Sequence, residues 1–233
     1  MKTISRKPLA KATFALVLFI ALPLVAQERF INHAPIPLIS FSNVPVTIAI
    51  ANLSCNAGIN YSLDPKLFSL VDGSTKPEPV LTIKWENISV ESALARVLKE
   101  HDLIMTTNSF TTVVRITGTN YVARPIDVTL IGADTNGTIP LLSFMDVPLN
   151  EALTMLVDQA HIKAVLDPHV SGDALPEPPD FKMTMMPTVS FRWEHLTARQ
   201  ALVEICELYD LLIIKGSKPD TVLIKPRKQS AQR

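Results

Sequence analysis

The chain has 233 residues, of which 47% are hydrophobic and 19% charged, with 22 basic and 22 acidic side chains. This is the composition of a folded protein, long enough for one large core or two small ones. Balanced charge without a basic face argues against nucleic acid as a partner.

Lys2, Arg6, Lys7 and Lys11 precede an apolar run, "ATFALVLFIALPLVA", which ends before "QER". A basic start, a short apolar segment and small residues read as a secretory signal over residues 1 to 26. The run is shorter than the roughly 20 residues of a spanning helix. No integral span is expected after cleavage, and an uncleaved anchor is the alternative. Removing these residues leaves 18 basic against 22 acidic side chains, a net charge of −4. The product is expected to be periplasmic or secreted. The short end at 227 to 233, "RKQSAQR", reads as a basic tail.

Residues 37 to 65 lie on 140 to 168 without a gap, at an offset of 103, and thirteen of the 29 pairs are identical. Pro37/Pro140, Phe41/Phe144, Val44/Val147, Pro45/Pro148, Leu53/Leu156 and the Leu-Asp-Pro at 63 to 65 and 166 to 168 are among them. A second block, "LTIKWENISVESALARVL" from 81, recurs at an offset of 108 as "SFRWEHLTARQALVEIC", which begins one residue later, at 190, with Trp85 on Trp193 and Ala93-Leu94 on Ala201-Leu202. The five extra residues fall in a proline-rich loop, 170 to 187. A unit near 100 residues, present twice, is expected to form two tandem small domains, 35 to 117 and 139 to 226, joined by a linker at 118 to 138. "PIDVTLI" within the linker could add a strand to either.

In chain order, Val46, Ala49, Ile50, Leu53 and Ala57 form a helical stripe, repeated by Leu149, Ala152, Leu153, Leu156 and Ala160, with Pro148 fitting a first turn. Leu81, Ile83 and Trp85, and later Val189, Phe191 and Trp193, alternate with polar residues as in a strand with one buried face. A second helix follows in each unit, capped by Ser89 or by the Thr197/Gln200 capping box, with Ala198, Ala201, Leu202, Ile205 and Cys206 as its stripe. "LIM" with "TVVRI", and "LLII" with "TVLI", close each unit as strand pairs. The expected fold class is α+β. The candidate core is Phe41, Leu53, Trp85, Leu94, Phe144, Leu153, Leu156, Trp193, Leu202 and Ile205. Letters kept between the copies are assigned to packing, and changed letters to water.

Candidate chemistry is sparse. His33, His101, His161, His169 and His195 have no metal-ligand spacing. Glu194-His195 could meet Asp167-Pro168-His169 as a metal or acid/base site, but turn and strand-end positions explain both. Asp64 and Asp167 precede proline and read as turn formers. Cys55 falls off the helical stripe and Cys206 on it, which argues against a disulfide between them. Asn52, Asn87 and Asn136 are glycosylation acceptors only in a eukaryotic secretory pathway. No phosphate loop or nucleophile elbow is present. No catalytic residue, cofactor, metal or small-molecule substrate is expected.

"FMDVPLNEALTMLVDQAHIKAVLDP" followed by "VSFRWEHLTARQALVEICELYDLLI" resembles the short N-terminal domain of secretins and TonB-dependent receptors. Phe144, Asp146, Val147, Pro148, Leu149, Ala152, Leu153, Leu156, Leu196, Thr197, Ala201 and Leu202 carry the pattern. The first copy departs from it, with Asn43 for the Asp and Ile48-Ala49-Ile50 for the acidic-Ala-Leu. The resemblance implies a non-enzymatic periplasmic interaction module associated with an envelope secretion or type IV pilus (secretin) complex. The partners implied are envelope proteins, either secretin or receptor components. The alternative it implies is a signalling or uptake-regulating pair related to receptor N-terminal domains.

Overall fold

A computed structural model describes residues 34–68, 77–132, 137–172, 187–218 and 220–227. Residues 1 to 33, which include the expected signal segment and His33, together with Asn136, the centre of the proline-rich loop and the residues from 228 onward, lie outside the described residues. The fold is α+β and runs through one order of elements twice. The first pass comprises β1 (Ile36–Pro45), α1 (Val46–Asn56), β2 (Tyr61–Leu63), β3 (Val80–Ile88), α2 (Val90–Glu100), β4 (Leu103–Thr107) and β5 (Val114–Gly118). The second comprises β6 (Ile139–Pro148), α3 (Leu149–Gln159), β7 (Ala164–Leu166), the single turn α4 (Pro168–Ser171), β8 (Thr188–Leu196), α5 (Ala198–Leu208), β9 (Leu211–Lys215) and β10 (Val222–Pro226).

Pairing repeats with the order. β1 and β3 form an antiparallel ribbon, as do β6 and β8, and each ribbon shifts register at one place, between Phe41 and Val44 and between Phe144 and Val147. The bulge turns on Asn43 and Asp146, both left-handed at φ 53° and 51°. Their amides donate to equivalent hydroxyls, Asn43 N to Thr82 Oγ1 at 3.0 Å and Asp146 N to Ser190 Oγ at 2.9 Å. Asn and Asp tolerate this conformation better than larger residues. Each pass also builds a three-stranded sheet, β2-β5-β4 and β7-β10-β9, in which the first pair is parallel and the second antiparallel.

The second helix of each pass is capped as its sequence suggests. Ser89 Oγ accepts from Ser92 N at 3.2 Å, and Thr197 and Gln200 exchange bonds at 3.2 and 3.0 Å. Pro148 is not in a first turn: Pro45 and Pro148 are N-caps that also end their strands. The first helical amides, Val46 N and Leu149 N, instead donate to the loop carbonyls of Pro79 and Pro187, each at 2.9 Å. "PIDVTLI" does not form a strand. Asp127 caps a 3-10 turn, Val128–Ile131, by accepting from Thr129 N at 3.0 Å, which commits the backbone to a turn instead of a ladder.

Two hydrophobic clusters result. One joins α1, α2 and the inner faces of the first ribbon and sheet; the other joins α3, α5 and their counterparts, and also takes in Val113, Ile126 and Ile131. By their contacts the described residues belong to one compact unit. Leu53, Leu94, Phe144, Leu153, Leu156, Trp193, Leu202 and Ile205 are buried, whereas Phe41 and Trp85 are half-buried and packed against the first cluster. Trp193 differs from Trp85 because the first sheet covers it, while Trp85 is capped by the guanidinium of Arg96, 5.7 Å from the ring centre.

Candidate functional site: the seam between the two repeats

The outward face of the sheet β2-β5-β4 is a row of polar residues. Ser62 and Thr106 flank Arg115 in register across the three strands. Strand alternation places them opposite Tyr61, Leu63 and Ile116, which face the first core. Helix α5 lies on this row. Its apolar stripe enters the second core, and the turn beside that stripe brings Glu204 onto the sheet, where it is 0% exposed.

Every oxygen of Glu204 is used. Oε1 accepts from Arg115 Nη2 at 2.7 Å, Arg115 Nε at 3.1 Å and Ser62 Oγ at 2.9 Å, and Oε2 accepts from Thr111 Oγ1 at 2.9 Å. Arg115 also donates to Tyr121 Oη at 2.6 Å and to Glu207 Oε2 at 3.3 Å. Burial works against the charged guanidinium, but the Glu204 carboxylate with its hydrogen bonds, and then Tyr121, outweigh it and raise its pKa above the ordinary value. Glu207 takes further bonds from Asn108 Nδ2 at 2.9 Å and Ile126 N at 3.1 Å. A buried ion pair is tolerated when the remaining lone pairs and protons are satisfied in this way.

Two further contacts close the seam beside β2. Trp193 Nε1 donates to the carbonyl of Tyr61 at 2.7 Å, and the Asn60 side chain pairs with the Glu194 backbone in both directions at 2.8 Å. The Asn60 amide thus substitutes for a strand partner at Glu194 and blunts the edge of β8 there. Arg199, on the other side of α5, donates to the carbonyls of Ile131 and Ala160 and ties the linker turn to the second core.

At one end of the seam lies an open cleft of about 590 Å³, lined by Asp64, Lys66, Arg115, Tyr121, Arg124 and Asp210 among others. Its charges pair with one another. Asp210 meets Arg227 at 3.3 Å, Arg124 at 3.4 Å and Lys66 at 3.8 Å. Such partly exposed pairs orient the loops around the cleft and contribute little energy individually.

The residues weighed as chemistry from the sequence are not brought together. Asp64 and Asp167 each accept the amide two residues on, Lys66 N at 2.9 Å and His169 N at 3.0 Å, the geometry of turn formers. His101 follows the last turn of α2, His161 occupies a left-handed turn at φ 53°, and His195 holds a left-handed position within β8 at φ 56°. Glu194 pairs with Arg192 at 2.9 Å. Among the described residues no group of three His, Cys, Asp or Glu is placed to hold a metal. Cys55 is exposed, Cys206 is buried, and both are free. The seam residues themselves escaped the sequence reading, which assigned changed letters to water. Charge inversion was the available signal: Glu204 and Glu207 stand where the first copy has Arg96 and Lys99.

No family model matches the chain, and no curated protein matches it. Among solved structures, the 43 kDa tail protein of prophage MuSo2 from Shewanella oneidensis is similar at 12% identity over 56% of this chain and 33% of that chain, with a TM-score of 0.25. The chain therefore spans about a third of that protein's length, and the likeness is too slight to inform fold or function.

Proposed function

We propose that the chain is a non-enzymatic periplasmic module that binds protein partners in an envelope secretion or type IV pilus (secretin) complex. The observation that carries the reading is the pair of long ribbons. β1–β3 and β6–β8 are each two-stranded, with nine or ten residues per strand, and apart from Glu194 of β8, whose backbone is taken by the Asn60 side chain, their outer edges have no partner strand among the described residues. Free edges offer main-chain donors and acceptors to an incoming strand. The outward side chains beside them include Leu38, Leu141 and Met145, all exposed. The resemblance of residues 144 to 213 to secretin and receptor N-terminal domains supplies the location and the class of partner. Among the described residues no helix is long and apolar enough to cross a membrane.

Affinity purification of the tagged full chain from envelope extracts after mild crosslinking tests the reading. Recovery of secretin or pilus components is the expected result. Recovery of soluble monomer alone contradicts it.

A further inference from the structure

The seam has a counterpart that nothing covers among the described residues. In the sheet β7-β10-β9, Leu223 lies in register between Val165 and Ile214, the positions that Arg115, Ser62 and Thr106 hold in the first repeat. The first row is polar and lies under α5. The second row is apolar: Val165 is 56% exposed, and Leu223 and Ile214 are partly exposed. The same backbone surface therefore receives a helix in one repeat and stands open in the other.

Charge selects what can lie there. Of the two ionisable residues on β7, β9 and β10, Lys225 alternates with Leu223 onto this face, whereas Lys215 shares the core side of β9 with Ile213; exposed Lys163, two residues before Val165, also falls on this face. A second copy of this chain would present α2 in the place of α5, with Arg96 and Lys99 where Glu204 and Glu207 stand. That contact would set cations against an apolar row rimmed by lysines, desolvating them without a carboxylate.

We infer that the outward face of β7-β10-β9 is a docking surface for an amphipathic helix of another protein, with an apolar stripe against Val165, Leu223 and Ile214 and acidic flanks toward Lys163 and Lys225. The seating of acidic α5 on the equivalent face is the precedent, with hydrophobic burial replacing the ion pair. This inference rests on the reading of the chain as a protein-binding module and names the surface and chemistry of its partner.

The test uses the full chain and two synthetic helices of about 18 residues, each with leucines at i, i+3, i+4 and i+7. One helix carries glutamates on its flanks and the other lysines. Fluorescence anisotropy is expected to show the acidic helix binding at least about tenfold more tightly than the basic one. Val165→Ser with Leu223→Ser should weaken that binding by about tenfold or more, while Ile48→Ser, an exposed site on α1, leaves it unchanged. Unchanged circular dichroism and thermal unfolding of the variants exclude misfolding as the cause. Equal binding of both helices, no binding, or no effect of the double variant overturns the inference. A dimer in sedimentation that the double variant abolishes also overturns it, because the occupant is then a second copy. Envelope co-purification is an independent measurement: its failure alone removes the secretion assignment and leaves this surface standing.

Discussion

Arg115 of β5 and Glu204 of α5, 89 residues apart, form an ion pair at 2.7 Å with side-chain exposures of 6% and 0%. This pair joins the sheet of the first repeat to the helix of the second. Because both charges are out of water, each depends on the other. Glu204→Leu or Arg115→Leu alone should cost about 3 to 5 kcal/mol, and the double variant should recover part of that loss. Urea denaturation of the four proteins measures the coupling.

The cores supply the larger share of stability. Leu156 and Leu202 are fully buried in the second cluster, so Leu156→Ala or Leu202→Ala should each cost about 2 to 5 kcal/mol. Ser54, in α1, is fully buried and its hydroxyl has no hydrogen-bond partner among the described residues. Ser54→Ala is expected to be neutral or to stabilise by up to about 1 kcal/mol, since it removes a buried unsatisfied group and favours the helix. Shifts in the denaturation midpoint check both.

The two repeats test a backbone argument against each other. Gly58 and His161 hold equivalent left-handed positions, at φ 65° and 53°. A side chain at such a site is strained, and a Cβ added at Gly58 would meet nothing. His161→Gly should stabilise by about 1 kcal/mol and Gly58→Ala should destabilise by a similar amount, as thermal unfolding would show.

Alkaline pH should weaken the fold. Burial pushes the Cys206 thiol well above its ordinary 9.0, and burial also pushes the Tyr209 hydroxyl from 10.0 up to about 12. Folded-state values raised above the unfolded ones mean that the neutral forms favour the fold. Their contribution is complete below about pH 9 and is lost as pH rises through the folded values. Unfolding free energy measured from pH 8 to 11 should decline from about pH 9, and Cys206→Ala should delay the onset toward pH 10.

Much of the fold could be read from the chain because local rules and packing agree. The stripes of α3 and α5, the Thr197 capping box and the alternation in β8 all name their own partners. The seam could not be read, for reasons that particular residues make clear. Glu204 resembles a solvent-facing charge until a sheet 89 residues upstream supplies Arg115. Trp85 and Trp193 share one motif and one strand position, yet only the second is covered by another repeat. Duplication preserved the backbone, and neighbours unequal between the copies decided what became buried.

The central claim is that α5 covers the outward sheet face of the first repeat, while the equivalent face of the second stays accessible. Thiol labelling at two equivalent positions tests this directly. In a Cys55→Ser background, Ser62→Cys should react with a small thiol reagent about a hundredfold more slowly than Val165→Cys, because reaction at the covered site requires opening of the seam. Equal rates at the two sites would contradict the account.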